Sequence, residues 1–253
     1  MLAALPMYDR PEMRAATDAF WALTRDALRA RGLDAPEALT RNAASLWDLW
    51  TAPDLLVSQT CGLPLRAKLG TRVRLVCTPD FGLPGCPFGY YNSVLVTRPD
   101  LADAPLARLV TRVAANDGLS QSGWGAIFAH AARHGLTPRR PILTGGHAAS
   151  AQAVLTGQAD IAAIDAQTWR LLLRHEPDLA VLHELARTAP TPALPLITAK
   201  GRDPEPILAA LEEALAALPA RHRAALCLEG FANLPLCAYA ALAIPPDPAD
   251  LPE

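Results

Sequence analysis

The chain has 253 residues, 51% of them hydrophobic and 19% charged, with a formal net charge of −2. That length buries a substantial core, and the composition excludes a disordered polymer. The near-neutral charge excludes a global basic field for nucleic acid, and no apolar run approaches the roughly 20 residues that insert into a bilayer.

The pattern alternates short apolar strands with amphipathic helices, which predicts an α/β fold with largely parallel sheets. Leu2–Leu5 reads as a first strand, and a helix follows from Glu12 to Arg31, with Met13, Ala16, Phe20, Leu23 and Ala27 at helical spacing. Asp54–Val57 is a strand that runs into a polar turn and a helix from Cys61. "RVRLVCT" and "YYNSVLVTRPD" are further strands, the second ending at Pro99. The pattern then restarts with a strand at Arg112–Ala115, a polar stretch and a helix. Strands at Ile142–Leu143 and Ile161–Ile164 are followed by helices at Ala148–Thr156 and from Ala166. "LAVLHEL" and Leu194–Thr198 are strands, Pro204–Leu218 and Ala220–Leu226 are helices, and "IPPDPADLPE" is a proline-rich tail. Extended segments near 94–99 and 188–196 predict two crossings between lobes. Residues 1–96 with 190–253 form lobe I, residues 97–189 form lobe II, and a cleft lies between them.

Ligands of open α/β sheets sit beyond the carboxyl ends of strands, and polar residues collect there repeatedly. Tyr8 and Asp9 follow the first strand, Gln59 and Thr60 the second. Asn116, Ser120, Gln121, Ser122 and Gly123 follow "RVAA", Gly145, Gly146 and His147 follow "PIL", and Asp165 follows "IAAI". A helix start carries unpaired N–H groups and partial positive charge; serine adds neutral donors, and glycine allows close approach. Ser120–Gly123 therefore suits a tetrahedral oxyanion, while a plain N-cap at Ser122 explains the same residues. His147 can donate to an anion, Asp165 can meet a cationic group or cap the following helix, and tyrosines can wall a cleft. No His, Cys or carboxylate set has metal-ligand spacing, so neither a metal nor a cofactor is expected.

The five cysteines contain no CxxC pair; Cys77 and Cys86 flank a turn and are able to bridge, although buried free thiols are the simpler reading. Cys61, at a helix start, supports a rival: a hydrolase or acyl transferase in which Cys61 is the nucleophile beside His147 and Asp165. The start, "MLAALPMYDRPE", lacks the basic and long apolar segments of a secretory signal. The expectation is periplasmic if a leader was removed or omitted, and cytoplasmic for the sequence as it stands.

The succession "LPMYD", "DLLVSQTCG", "GCPFGYYNSVLV", "NDGLSQSGW", "TGGHAASAQAVLTGQADIAAIDAQTW" and "TPALPLI" resembles the phosphate/phosphite/phosphonate substrate-binding proteins of ABC transporters. The resemblance spans nearly the whole chain and implies a two-lobed type II periplasmic binding protein fold. It implies that Ser120, Gln121, Ser122, Gly123 and His147 contact phosphoryl oxygens, that Tyr8, Tyr91 and Ser93 belong to the first-lobe wall, and that Asp165 faces a ligand amine. Gln59 and Thr60 join this ligand set. Gln121 stands where phosphonate binders carry a smaller hydroxyl residue, which implies a reshaped pocket. The expected partners are a small oxyanion and an ABC permease, for a non-enzymatic protein that is a monomer.

Overall fold

The computed structural model describes residues 1–252, which divide into two compact units. Unit 1 comprises residues 1–84 and 192–241, and unit 2 comprises residues 85–191 and the chain from 242 onward. The chain thus passes between units three times rather than twice, and the boundaries differ from those expected. Residues 85–96 and the proline-rich tail belong to unit 2 instead of lobe I. Residues 94–97 are not a crossing because they lie in a fully buried strand, hydrogen-bonded on both sides.

Unit 1 is built on strands β1 (Leu2–Ala4), β2 (Leu55–Gln59) and β3 (Val73–Asp80). In unit 2 the strands are β4 (Ser93–Thr97), β5 (Val113–Ala115), β6 (Ile142–Leu143), β7 (Ile161–Asp165) and β8 (His183–Arg187). The chain then completes unit 1 with β9 (Leu196–Ala199) and β10 (Gly230–Ala232). The first sheet has the order β1-β2-β9-β3-β10 and the second β6-β5-β7-β4-β8. Only β1–β2, β5–β6 and β5–β7 are parallel; β9 and β10 in unit 1 and β4 in unit 2 pair antiparallel with their neighbours. The sheets are therefore mixed, not largely parallel. Strands that enter a sheet from distant chain segments are free to run backwards, whereas a strand–helix–strand unit is not.

The main helix of unit 1, α1 (Arg14–Ala30), buries Ala16, Thr17, Phe20, Trp21, Thr24, Ala27 and Leu28. In unit 2, a π-wound turn at Gln121–Gly125 leads into α2 (Ala126–Arg133), and α3 (His147–Leu155) and α4 (Ala166–His175) follow β6 and β7. Unit 1 closes with α5 (Glu205–Ala217) and α6 (Ala220–Leu226), both packed on α1. "LAVLHEL" is a 3-10 turn over Pro177–Val181 before the strand, and the short helices Leu46–Thr51 and Leu236–Ala240 were not expected. Tyr239, on the latter, is fully buried and bonds Thr78 at 2.6 Å and the Ala193 carbonyl at 2.9 Å.

The core of unit 2 is centred on Leu95, Leu109, Val113, Ile127, Ile161 and the fully buried Trp124. Trp124 donates its Nε1–H to the Pro246 carbonyl at 2.9 Å, and Leu251 enters the same core. The tail is thus part of the packing that holds the turn carrying Trp124. No helix among the described residues is long and apolar enough to cross a membrane.

Candidate functional site

In unit 2 the strand directions bring four predicted regions to one edge of the sheet. The carboxyl ends of β5, β6 and β7 point the same way, and Ser93, which opens the antiparallel β4, lies opposite Asp165 in register.

Beyond β5, Ser120 is extended and its Oγ accepts from the Gly123 N–H at 3.0 Å, so Ser120 caps the helix and Ser122 does not. Ser122 is thereby released for another partner: its Oγ lies 2.8 Å from His147 Nε2 and 3.4 Å from Ser120 Oγ. His147 is the first residue of α3 and Ser122 belongs to the first turn leading into α2. Two helix starts, each with unpaired N–H groups and the positive end of a dipole, therefore meet across one hydrogen bond. Among the described residues no side chain caps α3.

Two glycines allow this approach. A Cβ on Gly123 would stand 1.9 Å from Asn116 Oδ1, which is itself buried without a hydrogen-bond partner. Gly145 has φ +83°, a left-handed conformation that favours glycine, and its N–H bonds the Asn116 carbonyl at 3.0 Å. Together with Thr144 N–H on the Ala115 carbonyl at 2.9 Å, this bond fixes the loop of His147 against the loop of Ser122.

Ser120, Gln121 and Ser122 are buried, and the half-buried His147 has its Nδ1 shut away from solvent. Burial lowers the His147 pKa from 6.5 to about 4, against a smaller opposing pull from the Ala163 backbone. The imidazole is neutral at pH 7. The seat offers hydroxyls, backbone N–H groups and a neutral ring, with no lysine or arginine among the residues that form it.

The other predicted residues have distinct surroundings. Asp165 is buried and its Oδ1 accepts from Thr168 N–H at 2.8 Å, so it caps α4. The Ser93 N–H donates to Thr188 Oγ1 at 3.0 Å, and Tyr91 is buried two residues earlier, in unit 2 rather than in the first lobe. Gln121 folds back along its helix, its Oε1 3.1 Å from the place of a Cβ on Gly125. With Ser93, His130 and Arg133 it lines a cavity of about 270 Å³ within unit 2.

Tyr8, Gln59 and Thr60 belong to unit 1. Tyr8 packs edge-on against Phe81 with ring centroids 4.9 Å apart, and Gln59 Nε2 donates to the Leu194 carbonyl at 3.3 Å. Thr60 is fully buried, and its hydroxyl has no partner among the described residues. The five cysteines are unbridged, Cys77 is buried with its thiol pKa pushed up by desolvation, and Cys61 lies in unit 1 while His147 lies in unit 2. Among the described residues no group of three or more His, Cys, Asp or Glu is placed to hold a metal.

Sequence reasoning named Ser122 and His147, which the structure brings together, but not Asn116 as the wall beside Gly123 or Trp124 as the anchor of the turn. The bulk of Trp124 directly after Gly123 was the available signal.

The structure is thus a mixed-sheet α/β chain in two units, with hydroxyls, helix starts and a neutral imidazole gathered at strand ends. The family described as "ABC transporter, phosphonate, periplasmic substrate-binding protein" matches residues 65–233, more than half of the sequence, and the chain belongs to that family. Its members bind substrate for ABC transporters and are not enzymes, which sets aside the Cys61 hydrolase. Solved structures show the same fold. XAC2383 from Xanthomonas citri bound to chloride is 17% identical, with a TM-score of 0.68 over 95% of this chain and 96% of that one. PhnD1 from Prochlorococcus marinus in complex with methylphosphonate is 17% identical, with a TM-score of 0.69 over 95% and 94%. A binding-protein component of an ABC phosphonate transporter from Pseudomonas aeruginosa is 16% identical, with a TM-score of 0.64 over 91% and 80%. No curated protein matches the chain closely in sequence.

Proposed function

We propose that the chain captures a small phosphonate-type oxyanion on Ser120–Gly123 and His147 and delivers it to an ABC permease on the periplasmic side of the membrane. The observation that carries this reading is the meeting of two helix starts at the 2.8 Å Ser122–His147 bond. Such a seat holds an anion through fixed dipoles and neutral donors, with no counter-ion to desolvate. Ser120 secures the helix start that carries Ser122, Asp165 caps the neighbouring α4, and the receptor acts as a monomer.

The test is calorimetric titration with methylphosphonate, 2-aminoethylphosphonate, phosphite, phosphate and sulfate. A hydrogen bond to a charged group contributes about 1.5–3 kcal/mol, so Ser122→Ala and His147→Ala should each weaken binding by about tenfold to a hundredfold. Binding of no panel member, or alanine variants that bind as tightly as wild type, overturns the assignment.

A further inference from the structure

The two helix starts joined by the Ser122–His147 bond are not secured in the same way. Ser120 caps the turn that carries Ser122, whereas α3, which opens at His147, has no side-chain cap among the described residues. Packing does little for it either. β6, the strand that leads to His147, is two residues long, lies at the edge of its sheet and leaves both Ile142 and Leu143 exposed. Its register with β5 rests on the pairs Ala114–Ile142 and Ala115–Leu143 alone. What fixes the place of His147 therefore comes from hydrogen bonds beyond the strand.

Thr144, the first residue after β6, supplies them. Its N–H bonds the Ala115 carbonyl at 2.9 Å. Its Oγ1 lies 2.7 Å from Ser150 Oγ, 3.1 Å from the Gly146 carbonyl and 3.3 Å from the Ala115 carbonyl. Carbonyls only accept, so the single Thr144 hydroxyl proton goes to one of them, and Ser150 donates its own to Thr144 Oγ1. Ser150 is fully buried and belongs to the first turn of α3, where its N–H bonds the Gly146 carbonyl at 2.9 Å. One hydroxyl thus touches three places: the end of β5 that runs into the Ser120–Gly123 turn, the residue before His147, and the turn of helix after it.

We propose that Thr144 is a positioning residue for the oxyanion site: its hydroxyl, through Ser150 and the Gly146 and Ala115 carbonyls, holds His147 Nε2 against Ser122 Oγ. The hold on the ring stands on these contacts, and its effect on ligand affinity rests on the receptor reading above. Without the Thr144 hydroxyl, the Ser150 oxygen is left buried with no partner, and the first turn of α3 has to shift or admit water to satisfy it. The Ser122–His147 bond then loosens and the ring meets more solvent.

Thr144→Val keeps the shape of the side chain and removes the hydroxyl, and Thr144→Ser keeps the hydroxyl; together they separate this role from a general contribution to stability. The first readout is the protonation midpoint of the His147 ring by proton NMR without ligand, low because the ring is buried, with the Ala163 backbone pulling the other way. The second is calorimetric titration with methylphosphonate. In Thr144→Val the midpoint should rise from about 4 towards 6.5, and methylphosphonate affinity should fall by about tenfold, the usual effect of one lost hydrogen bond. Thr144→Ser should restore both. Ser150→Ala breaks the same link from the helix side and should move the midpoint in the same direction, which tests the link where Thr144→Val does not fold. If thermal unfolding shows Thr144→Val destabilised while midpoint and affinity keep their wild-type values, the hydroxyl is merely structural: the inference falls and the receptor reading stands. If the wild type binds no methylphosphonate while the midpoint still shifts in Thr144→Val and recovers in Thr144→Ser, the receptor reading falls and the positioning of His147 stands.

Discussion

The neutral His147 gives the protein a pH signature whose size follows from its surroundings. Its pKa is about 4 in the folded chain, held down by burial, against about 6.5 when unfolded. Between these values the unfolded state binds more protons than the folded state, so stability increases with pH. The contribution is complete above about pH 6.5 and is lost as pH falls towards 4. A shift of about 2.5 units corresponds to about 3 kcal/mol, an upper figure for a ring that is only half-buried. Urea unfolding of wild type and His147→Gln at pH 7.5 and 4.5 measures it: the wild type should lose more stability than the variant, by up to that amount. Glutamine keeps an amide for Ser122 but does not titrate. His130, whose pKa is also lowered, by burial and by its neighbours His134 and Arg133, destabilises both proteins in the same direction and drops out of the difference. Proton NMR of the His147 ring gives the midpoint directly. A bound oxyanion should raise that midpoint, since an imidazolium beside an anion is favoured. A midpoint near 6.5 without ligand, or equal pH slopes in the two proteins, refutes the reasoning.

Gly123→Ala places a Cβ 1.9 Å from Asn116 Oδ1 and drives that side chain out of the seat. It should cost about 1–3 kcal/mol, lowering Tm by a few degrees, and weaken oxyanion binding; scanning calorimetry with and without ligand should show Asn116→Gly rescuing the stability loss. Trp124→Ala removes a fully buried indole and its bond to Pro246, at a cost of about 3–5 kcal/mol in chemical denaturation. Because Trp124 ties the seat to the tail, the same variant should also lose ligand-induced stabilisation.

Strand–turn–helix units carried by one continuous stretch were legible in the sequence, because periodicity, caps and glycines all act within a few residues. The capped turn at Ser120–Gly123 and the start of α3 at His147 are of this kind. The features that were misread depend on distant partners. Ser120 and Ser122 offer the same oxygen at cap-compatible spacing, and only the approach of His147 from 25 residues away separates the capping hydroxyl from the one that bonds the imidazole. β4 has the β-branched, apolar sequence of a crossing strand, yet its place between β7 and β8, both antiparallel to it, makes it the interior of unit 2. The proline-rich tail reads as part of lobe I, because its own residues lack periodicity and give no sign of another partner. Its Pro246 carbonyl and Leu251 side chain gain structure only from Trp124 and the core around it. The tail thus supports the very turn that carries Ser122. A truncation before residue 242 would therefore act on the Ser122–His147 pair through Trp124, although no tail residue belongs to the predicted ligand set.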